Sequence, residues 1–145
     1  MNSLHPREIV SAGSEALLTV LGPQGFSFEP GEEGKGSGGL FAQGRLTRGN
    51  RILEFSFRYG LGEVMYEVEG NRISHENYLK YSGNWSKRKY PDFGTTPEQS
   101  FSALAQDIKE YFADFAGGSG EEFKSIVAAC EANPNKFKGF GALPE

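Results

Sequence analysis

The sequence predicts an α+β fold: an N-terminal helix, an antiparallel sheet of about four strands, and two to three C-terminal helices packed on one sheet face. Apolar residues recur at helical spacing near the start of the chain and again after Thr96, while the stretch between them alternates with a period of two around Gly49-Asn50. A length of 145 residues suits a single domain, 1–145, whose core is large enough to fold without disulfides.

Ile9, Ala12, Ala16, Leu17, Val20 and Leu21 share a face of a helix predicted over Pro6–Leu21. Pro6 suits its first turn and Gly22-Pro23 ends it. Gly25–Glu29 alternates Phe26 and Phe28 with small or polar neighbours and reads as a short strand. Leu40–Arg48 and Arg51–Gly60 then flank Gly49-Asn50, which suits a two-residue hairpin loop. That loop sets a register. Leu46 lies opposite Leu53, Gly44 opposite Phe55, Ala42 opposite Phe57 and Leu40 opposite Tyr59 on a buried face. Thr47 meets Ile52, Arg45 meets Glu54, Gln43 meets Ser56 and Phe41 meets Arg58 on the other. A third strand, Glu63–Glu69, adds Val64, Tyr66 and Val68 to the buried face.

Ser74 is placed to cap a short helix that ends near Gly83, and an irregular loop, Asn84–Thr95, follows. Thr96-Pro-Glu-Gln99 combines an N-cap, a first-turn proline and a capping-box partner. Phe101, Leu104, Ala105, Ile108, Tyr111, Phe112 and Phe115 continue from it as one stripe up to Gly117-Gly118. Ser119-Gly-Glu-Glu122 repeats the capping-box pattern before Phe123, Ile126, Val127 and Cys130, and Asn133-Pro134 closes the last helix. Phe137, Phe140 and Leu143 predict a tail lying along the body.

Several chemistries are argued against. Gly34-Lys-Gly-Ser-Gly-Gly39 matches G-x-G-x-x-G, but it runs into a strand where a dinucleotide site needs a helix, and Lys35 precedes Gly36 where a P-loop needs Ser or Thr. It is expected to be a mobile connector between strands. Asp92-Phe93-Gly94 has no accompanying His-Arg-Asp, and the chain is too short for a kinase. Cys130, the single cysteine, excludes an intramolecular disulfide and is expected to be a buried structural thiol. His75 is expected at the surface, in the first turn of the short helix, with Glu76 on a different face. Glu67 and Glu69 share a strand face and read as solvated carboxylates. No catalytic residue, cofactor or metal site is therefore expected. The N-terminus lacks the pattern of a secretory signal and no stretch reaches the ~18 apolar residues of a membrane span, which points to a cytoplasmic location without membrane contact.

The remaining feature is Tyr78–Phe93, "YLKYSGNWSKRKYPDF", where the only tryptophan, Trp85, lies beside Lys87, Arg88, Lys89 and Tyr90. Aromatics with arginine are enriched at binding hot spots, so these five residues are the expected partner-binding set. A formal charge of −4 makes an acidic protein partner the better reading than nucleic acid. An irregular connection whose rings pack inward while its charges stay solvated explains the same composition without any partner.

Ser37–Gly44, Leu53–Phe57, Ile73–Tyr78 and Tyr90–Phe93, together with Phe101 and Asp107, resemble a family of small uncharacterised bacterial proteins over a span from about Gly25 to Phe115. The resemblance implies a stand-alone bacterial domain without an assigned activity. Immunity proteins that neutralise toxins are similar in size and class. The expected function is a non-enzymatic protein-binding module. The alternatives are a nucleic-acid-binding module acting through residues 84–93, and a small-ligand binder or enzyme with a pocket between sheet and helices.

Overall fold

A computed structural model describes residues 5–36, 39–91 and 96–137. The order of elements is α1 (Pro6–Leu21), β1 (Ser27–Gly36), β2 (Gly39–Arg48), β3 (Arg51–Phe57), β4 (Met65–Val68), β5 (Asn71–Ser74), α2 (His75–Ser82), α3 (Pro97–Tyr111), α4 (Ala113–Ala116) and α5 (Glu121–Ala132). The strands form one antiparallel sheet in sequential order, β1 to β5. The fold is thus α+β as expected, with a fifth strand. The additional strand, β5, has only four residues, too few alternations to register in the sequence.

The β2–β3 register agrees with the turn chemistry from Arg48 opposite Arg51 to Ala42 opposite Phe57. Gly49 has φ 59, the left-handed conformation that such a hairpin demands. Ala42, Gly44, Leu46, Leu53, Phe55 and Phe57 are all buried. Gly44 is required by packing: a Cβ there would lie 2.7 Å from Val10 and 2.9 Å from Phe55. The expectation fails at the far end of the hairpin, where β3 stops at Phe57 and Tyr59 is 83% exposed instead of buried. Arg58 still reaches Phe41, 5.3 Å from its ring centroid.

The glycine stretch also departs from expectation. Gly34, Lys35 and Gly36 belong to β1 and pair with Phe41, Leu40 and Gly39, so the described part is strand ladder and not a loose connector. Ser37 and Gly38 lie outside the described residues. Backbone pairing between β1 and β2 has overridden the weak strand propensity of glycine.

One sheet face is covered by helices, while the other carries a ladder of opposite charges. Arg45 contacts Glu29 at 3.4 Å, and Arg72 reaches Glu54 at 3.0 Å and Glu67 at 3.1 Å. Arg45 and Glu54 are cross-strand neighbours, but each makes its ion pair with another residue. Glu67 and Glu69 likewise do not act together, since Glu69 pairs with Lys124.

The covered face has an aromatic spine. Tyr66 stacks on Phe112 at 4.3 Å, Phe112 on Tyr78 at 4.3 Å and Tyr78 on Phe123 at 5.4 Å, contacts of about 0.5–1.5 kcal/mol each beyond area burial. The predicted continuous stripe breaks at Phe112, which leaves helical geometry at φ −119, ψ 30 while its ring enters this stack. The last helix is capped differently from the predicted box. Its N-cap is Gly120 without a side-chain cap, and Asp114 of α4 accepts the N–H groups of Gly120 and Phe123 at 3.1 and 2.9 Å. Arg51, 8% exposed, donates to the carbonyls of Asp114, Phe115 and Gly118 at 3.0, 2.8 and 2.6 Å. Arg48 donates to that of Ala116 at 3.3 Å. Two like charges facing across a hairpin are thereby solvated by main-chain carbonyls of α4 and of the turn after it.

Candidate functional site

The loop from Asn84 to Pro91 follows α2, whose ends are set by the Ser74 N-cap and by Gly83 at φ 84. A single 3₁₀ turn, Trp85–Lys87, opens it, and the Tyr90–Pro91 peptide is cis. The remainder of the predicted loop, residues 92–95, lies outside the described residues.

Asp107 fastens this loop to α3. Its carboxylate, wholly buried, accepts the main-chain N–H of Lys89 at 2.8 Å through Oδ1 and that of Tyr90 at 2.9 Å through Oδ2. The third partner is His75 Nε2 at 3.0 Å, while His75 Nδ1 lies 2.8 Å from the Tyr66 hydroxyl. A carboxylate that already accepts two N–H groups takes a third from His75 Nε2, and Nδ1 shares a hydrogen bond with the Tyr66 hydroxyl. His75 is 3% exposed, so the expected surface histidine is in fact buried. Its ring stacks on Phe112 at 5.1 Å and meets Tyr90 edge-on at 5.6 Å. Burial, with Asp107 as a secondary influence, holds the Tyr66 hydroxyl well above the usual tyrosine range.

Tyr66, His75 and Asp107 resemble an acid–base relay in their bonding, but their positions suit a structural bolt. All three are buried, and none lines any of the surface clefts described below. The sequence signal for the network is Asp107 itself, three residues from Leu104 and beside Ile108 on the apolar stripe of α3. A charge on such a stripe needs buried partners. Their identity depends on residues far away in sequence.

The five residues expected to bind a partner divide into two sets. Trp85 is 6% exposed and Tyr90 is 7% exposed, so both rings face inward and neither presents a hot-spot surface. The single hydroxyl proton of Tyr90 is shared between the carbonyls of Leu61 and Gly62, at 2.8 and 2.7 Å, and burial raises its pKa to about 12. Lys87 and Lys89 are exposed, whereas Arg88 is half-buried. The Arg88 guanidinium lies 3.9 Å from the centroid of the Trp85 ring, and the Lys80 ammonium 5.2 Å. Among the described residues, Lys87, Arg88 and Lys89 have no ion-pair partner.

The clefts differ in chemistry. One of about 650 Å³ on the open sheet face is lined by residues of both signs, including Glu32, Arg45, Glu54 and Glu63. A cleft of about 790 Å³ between α1 and α3 is lined by Ala16, Val20, Ala105 and Ala116 among others, and a neighbouring one of about 350 Å³ by Ile9, Gly13 and Phe101. Between α1 and the β1–β2 bulge lies a cavity of about 230 Å³, below the roughly 300–1,000 Å³ usual for small-molecule sites. Beside the loop, a cavity of about 380 Å³ is lined by Arg88, Lys89, Pro91 and Ala103.

Cys130 is half-buried, and desolvation raises its thiol pKa, which suits packing more than nucleophilic attack. Among the described residues no group of three or more His, Cys, Asp or Glu side chains is placed to hold a metal ion, and no helix is long and apolar enough to cross a membrane. Comparison of the chain with protein-family models, with curated proteins and with solved structures gave no match.

Proposed function

We propose that this protein is a non-enzymatic binding module whose basic loop, Lys87–Lys89, contacts an acidic protein partner. The observation that carries this reading is that three successive cations without ion-pair partners among the described residues stand on a backbone pinned to Asp107. A pre-ordered loop loses less conformational entropy when it binds. Trp85 and Tyr90 serve as anchors beneath the contact surface, and recognition falls to Lys87, Arg88 and Lys89. The formal charge of −4 weighs against nucleic acid, which needs a broad basic surface. A lone cysteine is compatible with a cytoplasmic setting.

Affinity capture with wild type and with the double variant Lys87→Glu/Lys89→Glu tests the reading. The variant should keep wild-type stability within about 0.5 kcal/mol, because both side chains are at the surface. It should lose a protein that wild type retains, and association with that protein should weaken as salt rises. Equal retention of partners by both forms, or binding abolished by nuclease, would overturn it.

A further inference from the structure

We infer that the cavity of about 380 Å³ lined by Arg88, Lys89, Pro91 and Ala103 is an oxyanion site that receives a carboxylate side chain of the partner. The inference rests on the basic-loop reading and adds the specific chemistry of contact. Among the described residues that line it, Arg88 and Lys89 are cationic and none is acidic. The guanidinium of Arg88 is held in place by its position over the Trp85 ring, 3.9 Å from the centroid, and by Nη1 donating to the Trp85 carbonyl at 3.2 Å. That leaves Nη2 and Nε without acceptors among the described residues, and Nε is buried. A half-buried guanidinium whose Nη2 has no protein acceptor among the described residues is free to meet an anionic one. The planar fork of arginine favours a carboxylate or phosphate oxygen pair.

The rest of the cavity is suited to the same ligand. Lys89 supplies a second cation, on a residue whose N–H is already committed to Asp107, so its backbone is fixed before the ligand arrives. Ala103, from α3, lets an incoming group approach closely. Lys87 is not among the lining residues and would contribute only long-range attraction.

Trp85, the only tryptophan of the chain, lies beneath Arg88 and reports on the site by its fluorescence. The full chain would be titrated with hexaglutamate peptide, with inorganic phosphate and with a thymidine oligonucleotide. Binding of a labelled form of each organic probe would be followed separately by anisotropy. Hexaglutamate should change Trp85 emission saturably, Arg88→Lys should weaken its binding at least tenfold, and Lys87→Ala should weaken it less than threefold. Unaltered binding by Arg88→Lys, or peptide binding that leaves Trp85 emission unmoved, would overturn the site. If binding then still falls in Lys87→Glu/Lys89→Glu, the basic-loop reading survives without the site. Phosphate that competes at equal concentration would make the site a simple phosphate site and overturn the protein carboxylate as its occupant. Preference for the oligonucleotide would overturn both readings. If hexaglutamate fails to bind while a captured protein depends on Lys87 and Lys89, the site falls and the functional reading stands.

Discussion

The carboxylate of Asp107 accepts the main-chain N–H of Tyr90 at 2.9 Å, across a separation of seventeen residues. The same side chain holds the N–H of Lys89 and the His75 ring, so one residue of α3 secures the basic loop and the start of α2 together. Asp107→Ala should leave these donors buried and unmatched. At roughly 1–3 kcal/mol for each orphaned group, the expected loss is at least about 3 kcal/mol by chemical denaturation. Amide exchange should quicken at Lys89 and Tyr90. Unchanged protection at these two amides would contradict the anchoring role.

Trp85 tests whether the loop's rings are anchors. Removal of a large buried aromatic costs about 3–5 kcal/mol, so Trp85→Ala should lower the unfolding midpoint strongly, whereas Lys87→Ala should hardly move it. A stable Trp85→Ala variant would mean that the ring contributes little to the core.

Gly44 should not tolerate even one methyl group. A Cβ there would press on Val10, Phe28 and Phe55 at 2.7–2.9 Å, and overpacking of this kind costs about 1–3 kcal/mol. Gly49→Ala gives a useful contrast: space is open around Gly49, so any loss there reports its positive φ alone.

Alkaline pH should destabilise the fold. The hydroxyls of Tyr66 and Tyr90 are held above the ordinary value of 10.0, Tyr90 at about 12, chiefly by burial. Above pH 10 the unfolded chain therefore loses phenolic protons that the folded chain keeps, and stability falls with rising pH. For Tyr90 this loss spans about pH 10 to 12. Tyr90→Phe should flatten the decline in a denaturation series, and equal slopes for the two proteins would refute the assignment.

Arg51 secures the β2–β3 turn through two carbonyls of α4 and that of Gly118 just after it. Arg51→Lys keeps the charge but cannot reproduce the planar fork, so it should still lower the melting temperature measurably. Wild-type stability in that variant would show that charge alone suffices there.

The sequence by itself determined what local chemistry controls. Gly49-Asn50 and the alternation on either side specify the register from Arg48–Arg51 to Ala42–Phe57, because a slip of one residue would turn every side chain to the opposite face. Thr96 with Gln99, and Ser74 with Gly83, mark helix ends through bonds that span only a few residues. The tertiary structure alone decided which polar and aromatic groups face inward. His75 is buried because Tyr66, nine residues before it, and Asp107, thirty-two after it, converge on its two ring nitrogens. Between Trp85 and Tyr90 an irregular backbone has no period to separate rings from charges. Asp107, Leu61 and Gly62 draw Tyr90 inward, and Lys87 and Lys89 remain in solvent because no acidic group among the described residues pairs with them.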